Sequence, residues 1–178
     1  MKRFALLVCA MTMAACGSDN NTPAPSNPNT LIFTAQLSGA KERPNPITGT
    51  EANGTGTATI TMTVTRDASN NITGGTTSWT FSISGLPNNT PLILNHIHEG
   101  PDSSTGGVVI DSLLTAANPI NLPNGSVTNQ TFSNLTQRDT TDTGLYARIA
   151  ANPNGFYFNV HSQANPGGVV RGQLVRTQ

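Results

Sequence analysis

The amino-acid sequence predicts an all-β fold, a two-sheet antiparallel Greek-key β-sandwich with one short helix. Apolar residues recur at every second position over most of the chain, which is the period of a strand with one buried face. The alternating segments are short and are separated by turn-forming residues; 17 of the 178 residues are Gly and 12 are Pro. Several short strands joined by such turns favour two sheets packed face to face.

The N-terminal half of the domain contains three predicted strands, at residues 31–37, 57–65 and 78–84. In each strand apolar residues such as Phe33 alternate with Thr, Ser or other small or polar residues, so one face is buried and the other is wet. The segment 67–71, Asp-Ala-Ser-Asn-Asn, is a predicted turn before the third strand.

The C-terminal half contains five further predicted strands and one helix. The helix is predicted at residues 143–151, because Leu145 and Ile149 lie one helical turn apart and an Asn-Pro pair ends it. We find no internal repeat and expect residues 31–178 to form a single domain. The strands are predicted at residues 92–99, 107–113, 127–135, 156–162 and 169–176.

The chain has three histidines, and all of them lie on two of these predicted strands. His96 and His98 are two residues apart, so on a regular strand they share a face with side chains about 6–7 Å apart. His161 lies on the strand at 156–162, where parity places it beside Asn159. Imidazole suits both transition-metal binding and proton transfer near neutral pH, so any chemistry is expected here.

A turn at residues 165–168, Asn-Pro-Gly-Gly, predicts that the last two strands form a hairpin. In the final strand Arg171 and Gln173 have the parity opposite to that of the apolar residues. The hairpin therefore predicts that Asn159, His161, Arg171 and Gln173 form one polar face.

The N-terminus is typical of a secretory signal peptide. Lys2 and Arg3 precede a short apolar stretch at 4–13, which is shorter than the roughly 20 residues of a membrane-spanning helix. Two alanines before Cys16 resemble a bacterial lipobox, in which the signal is removed before the cysteine and the sulfur carries diacylglycerol. We therefore predict that residues 1–15 are removed and that Cys16 is lipidated, the alternative being an ordinary signal peptide.

The segment that follows predicts a membrane-tethered, exported protein. Residues 16–30 are polar, contain three prolines and show no apolar periodicity, which indicates a flexible tether. Both cysteines, Cys9 and Cys16, precede the domain, so its fold must be stable without disulfides or thiolate ligands. We expect anchoring to a membrane through the lipid, at the outer membrane, the cell surface or the periplasm.

Composition excludes several classes of function. The chain has 9 basic and 9 acidic residues and no basic stripe with interleaved aromatic residues, so nucleic acid is not an expected partner. No Gly-x-Ser-x-Gly elbow, phosphate-binding glycine loop or dense calcium loop is present. We predict no catalytic residue, and the sequence favours a non-enzymatic role.

Four phrases, at residues 33–44, 96–101, 156–162 and 165–174, are spread over nearly all of residues 31–176. Their residues and their order resemble the chordin-type domain called CHRD. The resemblance implies an immunoglobulin-like or superoxide-dismutase-like sandwich that acts as a binding or structural module of the envelope, with an envelope protein, glycan or small ligand as partner. The family's recurrent residues map onto Glu42, His96, His98, His161 and Arg171.

The segment His-Ile-His-Glu at 96–99 is also similar to the His-x-His strand of copper-zinc superoxide dismutases, in which both histidines ligate copper. Here His96, His98 and His161 would form a copper or zinc site if they lie within about 8 Å, since metal–nitrogen bonds are about 2.0–2.1 Å. Dismutase chemistry is not expected without a fourth histidine. Two alternatives stay open, an organic-ligand or glycan site and a structural hydrogen-bond network that includes Glu42, Asn159, Arg171 and Gln173.

Overall fold

The computed structural model describes residues 27–178; the predicted signal peptide, Cys16 and most of the tether lie outside the described residues. This part of the chain forms ten strands, the helix α1 (Leu145–Ala151) and three short 3-10 helices. None of its helices is long and apolar enough to cross a membrane. The strands are β1 (Thr30–Ser38), β2 (Thr55–Arg66), β3 (Ile72–Ser84), β4 (Thr90–Glu99), β5 (Gly107–Asp111), β6 (Ile120–Leu122), β7 (Val127–Leu135), β8 (Phe156–Ser162), β9 (Val170–Gln173) and β10 (Val175–Arg176).

The predicted all-β class with one short helix is confirmed. Each predicted strand is present, and β7 and β8 have the predicted bounds. The last predicted strand is divided into β9 and β10 around Leu174, whose side chain is buried. Strand β6 was not predicted because three residues are too few to show a period, and it forms by pairing with the start of β4.

All the strands of residues 27–178 join one antiparallel hydrogen-bonded sheet, rather than two separate ladders. Its order is β5-β4-β8-β9-β1-β2-β3-β7, with β10 beside β1 and β6 beside β4. The pairs β4–β8 and β1–β9 join strands that are far apart in the sequence. Local periodicity carries no information on such pairs, so it cannot distinguish two sheets from one continuous sheet.

The sheet folds over on itself to enclose the core. Strands β3 and β8 are separated by three strands in the hydrogen-bonded order, yet the rings of Trp79 and Phe158 meet edge to face with centroids 5.3 Å apart. The Trp79 indole N–H donates to Asn95 Oδ1 at 2.8 Å. The core thus combines the inward faces of both halves of the sheet. Its bulky, nearly inaccessible apolar side chains include Phe33, Ile60, Met62, Trp79, Phe81, Leu92, Phe156 and Phe158.

Strands β4 and β8 are also covered on their second face. Every residue of β8 is buried, although alternation turns Asn159 and His161 away from the hydrophobic core. The loops 39–54, 100–106 and 163–168 pack over this face. We call the side chains between the sheet and these loops the polar layer. Its members are Glu42, His96, His98, Tyr157, Asn159, His161, Arg171 and Gln173.

Candidate functional site

Strand register arranges the polar layer in two rows. Directly opposed residues on one face of an antiparallel pair have Cβ atoms about 4.5–5.5 Å apart, so register decides which side chains touch. The polar face predicted from hairpin parity is present, but loops cover it. Across the strands β4, β8 and β9, one row consists of His98, Tyr157 and Gln173. The neighbouring row consists of His96, Asn159 and Arg171.

The three histidines converge. One ring nitrogen from each of His96, His98 and His161 lies within 4.8 Å of the other two. His96 Nδ1 and His161 Nε2 are 3.2 Å apart. The three residues are 5%, 8% and 5% exposed, so bulk water has little access to these nitrogens. The structure therefore brings together the set that the sequence singled out, well inside the limit of about 8 Å expected from the sequence.

The outer nitrogens of two histidines face backbone carbonyl groups. His98 Nδ1 lies 3.0 Å from the carbonyl oxygen of Gly106, and His161 Nδ1 lies 2.9 Å from that of Pro166. A carbonyl oxygen only accepts, so each Nδ1 donates its hydrogen and each Nε2 keeps a lone pair. Within residues 27–178, His98 Nε2 has no hydrogen-bond partner although it is buried.

His96 has two neighbours that both need a hydrogen from it. Its Nδ1 faces the lone pair of His161 Nε2, and its Nε2 lies 3.5 Å from Asp111 Oδ1. A neutral imidazole has one N–H and can donate to only one of them. Protonation would serve both, but burial, together with the nearby His161 ring, lowers the pKa of His96 to about 4. His96 is therefore neutral near pH 7 with one contact unsatisfied.

Burial keeps the other two imidazoles neutral as well. It lowers the pKa of His98 to about 4, and it lowers the pKa of His161 despite the hydrogen bond to Pro166. Neutral imidazole is the form that ligates metal ions. His96 Nδ1, His98 Nε2 and His161 Nε2 could hold one ion, with Nε2–H of His96 donating to Asp111. Ligand atoms on a tetrahedral ion lie roughly 3.4 Å apart. The separations between the three ring nitrogens, now up to 4.8 Å, would therefore need to shorten by on the order of 1 Å when an ion binds.

Tyr157 packs against this cluster. Its ring stacks on His98 with centroids 4.7 Å apart and an angle of 6° between the planes. The guanidinium carbon of Arg171 lies 3.6 Å from the centroid of the Tyr157 ring, which is a cation–π contact. The Gly106 N–H donates to the Tyr157 hydroxyl at 3.1 Å, so one loop residue contacts both Tyr157 and His98. These contacts fix the orientation of the His98 ring.

The remaining members of the polar layer hold the covering loops. Arg171 is 1% exposed and donates to the carbonyl oxygens of Ser104 at 2.9 Å and Pro101 at 2.8 Å. Gln173 donates to the carbonyl oxygen of Gly100 at 3.0 Å. Glu42 and Arg171, which the sequence places in one candidate hydrogen-bond network, do not form an ion pair within residues 27–178.

Glu42 is instead a poorly satisfied buried carboxyl group. Asn159 Nδ2 donates to Glu42 Oε2 over a long 3.4 Å, while Oε1 is buried without a partner in the described part of the chain. Burial outweighs the attraction of Arg171 and raises the pKa of Glu42 to about 7. Glu42 therefore titrates near neutral pH.

Two acidic residues that position the histidines were missed at the sequence level. Asp111 is the cross-strand partner of His96, a relation set by the β4–β5 register alone. Glu51 is 5% exposed and accepts from Ser162 Oγ at 2.6 Å and from Asn165 Nδ2, which ties down the turn that carries the Pro166 carbonyl. Neither spacing nor composition marks these two carboxylates.

Fold and site together define a class, an antiparallel all-β domain with a buried, histidine-rich polar layer. The sequence pattern of one family, described as the CHRD domain, matches residues 33–174. The chain therefore belongs to the CHRD domain family, which indicates a binding or structural module. Searches among curated proteins and among solved structures found no match.

Proposed function

We propose that this CHRD domain is a metal-binding module whose site for a copper or zinc ion consists of His96, His98 and His161. One observation carries the proposal: one nitrogen from each of three buried imidazoles lies within 4.8 Å of the other two, and His98 Nε2 has no hydrogen-bond partner among residues 27–178. Leaving a buried polar atom unsatisfied costs about 1–3 kcal/mol. A bound cation would satisfy all three nitrogens.

The surroundings of the histidines support this role. Metal-ligating histidines usually donate their second N–H to a carbonyl or carboxylate oxygen, which orients the ring and raises its basicity. Here Gly106 and Pro166 supply carbonyl oxygens and Asp111 supplies a carboxylate. Removal of such a partner typically lowers metal affinity 10–100-fold, roughly, so Asp111 belongs to the proposed site as a positioning residue.

The proposed location is the cell envelope. The signal-peptide pattern of residues 1–15 supports export, and the lipobox pattern at Cys16 supports a lipid anchor. The polar segment 16–30 would act as a tether. The domain would then bind metal outside the cytoplasm. No free thiol of this chain would compete with the imidazoles there, because Cys9 would be removed with the signal peptide and Cys16 would carry the lipid.

Elemental analysis of the purified full chain in mild detergent tests the proposal. After incubation with copper or zinc at micromolar concentration and removal of free metal, we expect about one ion per chain. His98→Ala and His161→Ala should abolish retention because each removes one of three ligands. Asn159→Ala is the matched control, since Asn159 is buried on the same strand and face as His161 but is not a ligand.

Circular dichroism and thermal unfolding would show whether each variant is folded. If the wild-type chain retains no metal, or if folded His98→Ala retains as much as the wild type, the metal role is wrong. In that outcome the histidines would belong to a structural hydrogen-bond network, as one alternative from the sequence holds.

A further inference from the structure

Building on the proposed metal site, we infer that its ion is monovalent copper, Cu(I), in preference to Zn(II). The inference rests on the number of ligands, on the charges around them and on their burial. Each of these three properties favours Cu(I) over Zn(II) for a different physical reason.

The first reason is coordination number. Within residues 27–178, the group of potential ligands contains His96, His98 and His161 but no carboxylate. Asp111 lies beside Nε2 of His96, on the side of the ring away from the nitrogen that faces His161. Protein-bound zinc is almost always four-coordinate and requires a water molecule when only three side chains bind. Cu(I) is also a d10 ion, but its lower charge makes two or three ligands sufficient, so three imidazoles in a trigonal arrangement complete its coordination.

The second reason is charge. Three neutral imidazoles supply no negative charge, and the nearest carboxylate, Asp111, is partly exposed and lies behind the His96 ring. The guanidinium of Arg171 lies over Tyr157, which itself stacks on His98. The electrostatic cost of burying an ion rises with the square of its charge, so a monovalent ion costs about a quarter as much as a divalent ion of the same size. A cationic neighbour and neutral ligands therefore disfavour Zn(II) more strongly.

The third reason is restricted access for water. The histidines are at most 8% exposed, and the stacked Tyr157 and the loop at Gly106 pack against His98. A fourth, exchangeable water ligand requires a cavity of at least roughly 10–15 Å³ with polar partners. Cu(I) needs no such ligand. Sulfur ligands would raise Cu(I) affinity further, but residues 31–178 contain no cysteine, and their one methionine, Met62, is buried in the hydrophobic core. The lack of sulfur among the proposed ligands does not favour zinc, since imidazole suits both metals.

Chelator competition under anaerobic, reducing conditions tests this inference on the full chain in detergent. Bicinchoninate, which is coloured when bound to Cu(I), reports copper transfer, and 4-(2-pyridylazo)resorcinol reports zinc. We expect the chain to withdraw one Cu(I) from the first chelator and to bind Zn(II) at least about 100-fold more weakly, a difference of about 2.7 kcal/mol. A tenfold molar excess of zinc should leave the copper bound, as elemental analysis after gel filtration would show.

Two variants keep the test decisive. His98→Ala should lose Cu(I), while Asn159→Ala should keep it. Asp111→Asn removes the carboxylate nearest the ligands and is only partly buried, with 25% of its side chain exposed, so it should fold. The attraction between this carboxylate and the ion scales with the charge of the ion. Asp111→Asn should therefore weaken Zn(II) binding more than Cu(I) binding, which increases the preference for Cu(I) over Zn(II).

The outcomes separate the two proposals. Binding of neither ion contradicts the metal site itself. Zinc binding equal to or tighter than Cu(I) binding, or displacement of copper by zinc, overturns the Cu(I) inference and leaves the metal site standing. If Asp111→Asn favours Cu(I) over Zn(II) by a smaller factor than the wild type does, the charge argument is also wrong.

Discussion

At the scale of single residues, burial sets the chemistry of the polar layer. It lowers the pKa values of His96, His98 and His161, and it raises that of Glu42, because the charged form of each group loses hydration. The histidines become neutral ligands while the carboxyl group stays partly protonated near pH 7. Stability should therefore depend on pH in two opposite ways.

The buried histidines should make the folded protein less stable in acid. The unfolded chain binds protons on histidine near pH 6.5, whereas folded His96 and His98 do so only near pH 4. Between these values the unfolded state holds more protons, so the free energy of unfolding falls as the pH falls from about 6.5 to about 4. Urea unfolding of the metal-free Glu42→Gln variant across this range, at constant ionic strength, would measure the histidine contribution without the opposing one of Glu42. A flat profile in that variant would contradict the prediction.

Glu42 should act in the opposite direction. Its pKa rises from 4.5 to about 7 on folding, so the stabilising proton is fully retained below about pH 4.5 and is lost as the pH rises through 7. Relative to wild type, Glu42→Gln should therefore gain stability as the pH increases from about 4.5 to 8, because the amide never ionises. Parallel urea unfolding of both proteins would measure the difference. A constant difference over this range would show that Glu42 is not perturbed.

At the scale of elements, the β8–β9 turn links the histidine cluster to the covering loops. Gly168 has φ 133°, a conformation that side chains rarely adopt. A Cβ atom there would lie 2.6 Å from both Asn159 Nδ2 and Glu42 Oε2. The turn can approach the polar layer this closely because position 168 has no side chain, and the approach places the Pro166 carbonyl against His161.

A pair of alanine substitutions tests the role of this turn. Gly168→Ala should lower the free energy of unfolding by about 1–3 kcal/mol, from backbone strain and the clash with Glu42 and Asn159. Gly167→Ala is the matched control, because a Cβ atom at that position would meet nothing within 4 Å. Urea unfolding would compare the two variants with wild type. Equal effects at 167 and 168 would mean that close packing at Gly168 is unimportant.

At the scale of the whole molecule, the contact between Trp79 and strands β4 and β8 holds the two halves of the folded sheet together. Trp79→Phe would remove the hydrogen bond to Asn95, a residue that is 0% exposed, and would leave space beside Phe158. We expect a loss of about 2–4 kcal/mol in the free energy of unfolding. Phe132→Leu, at a partly buried position on the same side of the core, should cost less. If Phe132→Leu lowers the free energy of unfolding more than Trp79→Phe does, Trp79 is not the main contact between the two halves of the sheet.

Attachment to the membrane is also a property of the whole molecule. Cys16→Ser should move the protein from the membrane fraction to the soluble fraction, because the acyl chains are the proposed anchor. Detergent phase partitioning with immunodetection would measure the shift. Cys9→Ser, within the predicted signal peptide, should change nothing, and unchanged partitioning of Cys16→Ser would contradict the lipid anchor.

The sequence by itself determined the local properties of this protein. Alternating polarity and turn residues predicted the all-β class and most strands, and the helical spacing of Leu145 and Ile149 predicted the single helix, because these signals depend on neighbours along the chain. The same alternation placed Asn159, His161, Arg171 and Gln173 on one face. Four phrases indicated the CHRD family, which the match over residues 33–174 confirms. The three histidines stood out because all of them lie on two predicted strands.

Only the tertiary structure decided which of these residues meet. The pairing of β4 with β8 brings His161 to His96, and the pairing of β4 with β5 brings Asp111 to the same ring. Likewise, the loops that bury the polar face, the short strand β6 and the folding of one sheet over itself leave no periodic trace in the sequence. Long-range register arises from packing between distant segments, and the burial that keeps the histidines neutral follows from that packing.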